Sequence, residues 1–213
     1  MEQKITGLKV QKRNSRRVNV YLDGEFAFGL SRVTAAWLEI GQVVDKNKIS
    51  ELQADDEHEV AYQKALNYLS YRPRSEKEVL DNLRKHQFSD EVSQDTLQRL
   101  RRNLLVNDHD FASTWVENRS EFRPRGRRAL SLELRQKGIA GEVIEEVLQD
   151  LDEDELAHRA ALKQVRKYHR LDWETYRQKM VAFLARRGFN YGVAAPIAAR
   201  VWSEQIEQPD RQN

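Results

Sequence analysis

The side chains of this 213-residue chain that combine useful chemistry with a repeated arrangement are arginines. Arg72-Pro73-Arg74 and Arg123-Pro124-Arg125 stand 51 residues apart, and the second is followed by Arg127 and Arg128. Two guanidiniums flanking a proline at the opening of a helix hold planar, multi-donor forks on a stiff elbow, a geometry suited to phosphate or carboxylate. Arg186 and Arg187 precede Gly188, and Lys12, Arg13, Arg16 and Arg17 fall on a predicted hairpin loop able to reach phosphates. These are the candidate binding residues. None of them is a candidate catalytic group.

Patterns for catalysis or metal binding are missing elsewhere. His58, His86, His109, His158 and His169 make no paired ligand spacing, and the absence of cysteine removes thiol nucleophiles and thiolate metal sites. Asp150, Asp152 and Asp154 start like a calcium loop. However, Glu155 stands where the loop needs glycine, and Ala161 stands where it needs a bidentate glutamate. Acids there are better explained as the start of a helix, where they meet the positive end of its dipole. With no glycine-rich phosphate cradle and no Gly-x-Ser-x-Gly elbow, the expectation is a non-enzymatic protein without metal or cofactor. The aromatic runs Phe111, Trp115 and Trp173, Tyr176, Met180, Phe183 have helical spacing and read as core, with Arg119 one turn beyond Trp115 as its cation-π partner.

Charge is segregated although the net value is only +2. Residues 119–137 carry seven bases against Glu121 and Glu133, and 158–187 carry nine against Asp172 and Glu174. The compensating acids crowd into 51–59 and 142–155, so basic patches for a polyanion or an acidic groove can form on a nearly neutral protein. No apolar run approaches the ~18–20 residues that cross a bilayer. The N-terminus has no apolar leader pattern either, so a soluble, cytoplasmic chain is expected.

Two kinds of element must position these residues. Val18–Leu22 and Glu25–Leu30 alternate around Asp23-Gly24, a type I′ hairpin signal, and Ile5–Val10 supplies a third strand through the loop Lys12–Arg17. Ser31 then caps a short helix ending at Gly41. This makes a small α+β unit over residues 1–56. From residue 57 the periodicity is helical and repeats. Leu83, Phe88, Val92 and Leu97 recur at a shift of 51 as Leu134, Ile139, Val143 and Leu148. The second copy recurs at a shift of 50, through Leu184, Phe189, Val193 and Ile197.

The repeat predicts three three-helix units. Their helices fall at 57–71, 75–86 and 90–104; at 108–121, 126–137 and 141–150; and at 153–169, 173–187 and 191–206. The corresponding domain spans are 57–106, 107–151 and 152–206, with a polar tail over 207–213. The fold class is mainly α, an elongated curved array of tandem three-helix repeats behind a β-containing head. Ser75 and Glu78 form a capping box. Gly138 and Gly188 end the second helix of their units, where the first unit has Gln87. Pro196 argues that the last helix starts late or kinks.

Several stretches resemble the RecX regulatory proteins: Tyr68-Leu-Ser-Tyr-Arg-Pro-Arg-Ser75; Leu104-Leu-Val-Asn-Asp108 with Phe111-Ala112, Trp115-Val116 and Arg119; Gly126, Leu130, Leu134 and Gly138-Ile139; and Leu184-Ala-Arg-Arg-Gly-Phe189. The resemblance covers 58–204 and extends to the N-terminal hairpin unit. It implies three three-helix repeats and a monomeric regulator of the RecA recombinase. Such a regulator binds RecA or its filament on single-stranded DNA and suppresses ATP hydrolysis and strand exchange. The residues alone also admit a module binding single- or double-stranded DNA directly, and a helical scaffold for another protein.

Overall fold

The structure is a computed structural model and describes residues 2–207; residues 208–213 of the expected tail lie outside the described residues. The chain forms two compact units, one ending at Val106 and the other beginning at Asn107.

The first unit opens with an antiparallel sheet in the order β3-β2-β1-β4, formed by β1 (Gln3–Gln11), β2 (Asn14–Leu22), β3 (Glu25–Ser31) and β4 (Val43–Val44). Alternation sends Val18, Val20 and Leu22 to one face, where they pack with Ile5 and Leu30. Asp23 and Gly24 both take positive φ, 50° and 94°, as their hairpin turn requires. The expected six-residue loop is shorter than its composition suggested. Only Lys12 and Arg13 turn, because Asn14 already pairs with Gln11 and Arg17 with Ser31. Ser31 ends β3 and is not the N-cap: its Oγ accepts from the Thr34 N–H at 3.0 Å, but Val33 is the capping position, and only a single 3-10 turn over Thr34–Trp37 follows rather than a helix reaching Gly41.

Helix α1 spans Lys46–Leu69, so the helix expected to open at 57 begins eleven residues earlier. Asp45 caps it by accepting from the Lys48 N–H at 2.8 Å. The reason for the extra turns is burial. Ile49 and Leu52 close the core of the head, and Ala61, Tyr62 and Ala65 enter the core of the first repeat, so residues 56 and 57 are neighbours within one continuous helix. The acids of 51–59 serve this junction. Asp56 accepts from Arg17 at 2.9 Å and from the Ser31 N–H, and Glu59 pairs with Arg99 at 2.8 Å. α2 (Glu76–Lys85) and α3 (Asp90–Arg102) complete the repeat.

The second unit holds α4 (Asp108–Phe122), α5 (Arg127–Gln136) and α6 (Gly141–Leu148), then α7 (Glu153–Val165), α8 (Trp173–Arg186) and α9 (Tyr191–Trp202). α7 stops at Val165, four residues short of expectation, where the chain tightens into i−3 bonds such as Tyr168 N–H to Val165 O at 2.8 Å. α9 neither starts late nor excludes its proline. Asn190 caps it through the Val193 N–H, and Pro196 lies within the helix, where the Gly192 carbonyl loses its i+4 donor.

The repeat is clearest where the second helix of each unit ends. Phe88 N–H bonds Leu83 O, Ile139 N–H bonds Leu134 O, and Phe189 N–H bonds Leu184 O, at 3.3, 3.1 and 3.2 Å. Each is the long bond of a Schellman cap around a left-handed residue: Gln87 at φ 67°, Gly138 at 85° and Gly188 at 92°. The leucines are fully buried in all three copies.

Candidate functional site

The two Arg-Pro-Arg elbows open α2 and α5 at the same register, yet their surroundings differ. At α2, Ser75 Oγ accepts from the Glu78 N–H at 3.3 Å, and the Glu78 carboxylate accepts from the Ser75 N–H at 3.4 Å. Arg72 forks onto that same carboxylate at 2.9 and 3.2 Å and donates to Pro73 O at 2.9 Å. Arg74 lies 4.0 Å over the Tyr68 ring. Arg101 pairs with Glu76, and Lys77 pairs with Asp81 at 2.6 Å. Arg72, Glu76, Lys77 and Glu78 each have a charged partner here, and Arg74 is held against the Tyr68 ring.

At α5 the shift of 51 replaces Ser75, Glu76, Lys77 and Glu78 with Gly126, Arg127, Arg128 and Ala129. Residues 72–78 hold three bases and two acids, formally +1; residues 123–129 hold four bases and no acid, formally +4. Gly126 has no side chain to cap with, and a second role explains why. Its N–H donates to Arg187 O at 3.0 Å, and a Cβ on Gly126 would overlap the Gly188 carbonyl and come within 2.7 Å of Phe189 N. The elbow of the second repeat is therefore seated directly on the glycine cap of the third.

That contact gathers the cations. Arg125 pairs with Glu133 at 2.8 Å. The same carboxylate accepts from Trp115 Nε1 and Arg119 Nε, each at 2.8 Å, while Arg119 lies 4.3 Å over the Trp115 ring as expected. The Arg127 N–H donates to Glu153 Oε1 at 2.9 Å, and its guanidinium donates to Gln149 O at 3.3 Å. Arg187 is half-buried, donates to Pro124 O at 3.3 Å and rests 4.8 Å from the Phe183 ring. Burial, then the positive charges of Arg125 and Arg123, hold its guanidinium below the usual arginine value. Arg123, Arg128 and Arg186 are exposed and have no ion-pair partner among the described residues. Arg127, Arg128, Ser131, Arg135, Gly188 and Asn190 line an open concavity of about 540 Å³.

Arg135 was missed as a site residue. It stands at i+7 from Arg128 with Ser131 between them, so helical spacing alone places all three on one face. Among the head candidates, Arg17 is tied to Asp56 at 2.9 Å and to Gly29 O at 2.7 Å, whereas Lys12, Arg13 and Arg16 are exposed. Among the described residues no group of three or more His, Asp or Glu is placed to hold a metal, and no helix is long and apolar enough to cross a membrane.

A strand-built head followed by three copies of a three-helix unit with a shared cap defines a tandem three-helix-repeat protein. Family profiles match in the same order. They are the regulatory protein RecX N-terminal domain over residues 3–45, and the first, second and third RecX three-helix domains over 61–100, 107–148 and 152–195. The regulatory protein RecX of Bacillus licheniformis is 33% identical over 97% of this chain and 79% of its own length. That of Bacillus subtilis is 31% identical over 98% and 81%. A crystal structure of a regulatory protein RecX superposes with a TM-score of 0.75 at 28% identity, covering 95% of this chain and all of the other. RecX from Lactobacillus salivarius gives 0.64 at 27% identity over 70% of this chain. The chain belongs to the RecX family of regulatory proteins.

Proposed function

We propose that this protein regulates the RecA recombinase without catalysis of its own, by laying the face around the α5 opening against the RecA filament on single-stranded DNA. The single observation that carries the reading is the charge of that opening. Four arginines stand where the first repeat balances its bases with Glu76 and Glu78, and Arg123, Arg128 and Arg186 have no counter-ion among the described residues. Partnerless guanidiniums are poised for phosphate or carboxylate, since binding breaks no internal pair. A filament repeats its groove along its axis, so several modest contacts combine through effective concentration. Arg125, Arg127 and Arg187 hold the face together through Glu133, Glu153 and Pro124, while Arg123, Arg128 and Arg186 reach outward.

The test is a titration of the protein into the DNA-dependent ATPase of RecA. The parent inhibits, and added salt weakens the inhibition. The triple variant Arg123→Glu, Arg128→Glu, Arg186→Glu, with its helical circular dichroism intact, needs at least about tenfold more protein, as expected when several phosphate-directed charges reverse. Equal inhibition by the triple variant contradicts the site, and absence of inhibition by the parent contradicts the function.

A further inference from the structure

The head carries a second cationic surface that the α5 face does not explain. Trp37 ends the 3-10 turn Thr34–Trp37 with 88% of its surface exposed, the most exposed tryptophan among the described residues, and Val33 beside it is 60% exposed. Together with Arg16, Arg32, Ser15 and Gln63 they line an open groove of about 600 Å³. We infer that this groove is a subsite for single-stranded nucleic acid, in which Trp37 stacks on a base while Arg16 and Arg32 hold the flanking phosphates.

The corner that presents these side chains is rigid. The Arg32 N–H bonds Arg16 O at 2.8 Å, which fixes the two arginines as cross-strand neighbours at the end of β2 and β3. Ser31 Oγ accepts from the Thr34 N–H, and Asp56 accepts from the Ser31 N–H, so the turn carrying Trp37 is pinned to α1. Pinning the backbone of the turn lowers the ordering cost of a stacked complex, which then falls on the indole side chain alone.

Charge selects the occupant. Arg16 and Arg32 have no side-chain partner among the described residues, and Lys12 and Arg13 extend the same basic edge along the hairpin tip. Glu59, the acid in the groove wall, is already neutralised by Arg99 at 2.8 Å and accepts from Gln63 Nε2 at 3.1 Å. Gln63 keeps its carbonyl oxygen, and Ser15 its hydroxyl, for the edge of a base. An apolar protein segment over Trp37 would strip water from two guanidiniums and return no counter-charge. A single strand offers an aromatic face and a phosphate at each step, and stacking on an indole tolerates any base.

The inference stands apart from the reading of the α5 face, because its test contains no RecA. The full-length protein is titrated at low salt with oligothymidylate and with an abasic oligomer of equal length, following tryptophan fluorescence. Oligothymidylate quenches the parent and binds more tightly than the abasic strand. Trp37→Ala loses the quench and binds about tenfold more weakly, while Trp37→Phe keeps most of the affinity. Replacing Arg16 and Arg32 by Ala lowers the slope of log K against log salt by about 1.4, the value for two phosphates on a single strand. If Trp37→Ala binds and quenches as the parent does, or if the abasic strand binds as tightly as oligothymidylate, the stacking site is overturned. If neither oligomer binds, the groove is not a nucleic-acid subsite and the inference is overturned.

Discussion

The openings of α2 and α5 share an Arg-Pro-Arg motif at one register, and they show how a repeat diverges once a neighbour arrives. At α2 a serine and a glutamate close a capping box, and Arg72 and Arg74 are absorbed into it and into the Tyr68 ring. At α5 the third repeat packs so closely that only glycine fits, and no acid stands in the first turn. The N-terminus of α5 is met instead by Glu153 from α7, which accepts from the Arg127 N–H at 2.9 Å, and four arginines surround it. One sequence motif is a structural brace in the first unit and an exposed cationic face in the second.

Gly126 is where the two openings differ most in packing. Gly126→Ser restores the residue that caps α2, yet it should destabilise the second unit by about 1–3 kcal/mol, because the added side chain overpacks against Gly188. Thermal or urea unfolding measures it, and a stabilised variant would mean that close packing is not why serine is missing. The reciprocal change, Ser75→Gly, should cost only a few tenths of a kcal/mol, the usual difference between serine and glycine caps.

The C-caps of the same helices differ by a smaller energy. Gln87 holds φ 67° where its two counterparts are glycine. Gln87→Gly should therefore stabilise the first repeat by about 0.5–1 kcal/mol, after the entropy that glycine adds to the unfolded chain is subtracted from the relieved strain. Chemical denaturation gives the sign directly. A loss of stability would show that Gln87 contributes contacts that outweigh its strained backbone.

Much of this was legible in the residues. Repeating leucines and the Gly138 and Gly188 caps gave the three units, because buried periodicity and left-handed turns are written locally. The hairpin of the head followed from Asp23-Gly24 in the same way. What escaped depended on contacts distant in sequence. α1 reaches back to Lys46 because Ile49 and Leu52 complete a core built by Ile5, Val18, Val20, Leu22 and Leu30 of the first three strands, far upstream in the sequence. Arg17 looked like a free hairpin base until Asp56 met it across 39 residues. Similarly, the two elbows are equivalent in sequence motif but not in what packs around them. Glu78 at one and Gly188 at the other decide what the arginines are left to do.

If unpaired charge is what separates the two openings in function, a matched pair of charge reversals must separate them too. Lys77 and Arg128 are register counterparts, both exposed, so Lys77→Glu and Arg128→Glu make the same charge change at the opening of α2 and of α5. Each variant is titrated against RecA on single-stranded DNA, and binding is followed as a function of salt. Arg128→Glu should weaken binding by about tenfold and flatten its salt dependence, while Lys77→Glu should change binding by less than about twofold. Equal losses from the two variants would contradict this, since the distinction between the brace and the exposed face would then have no functional consequence.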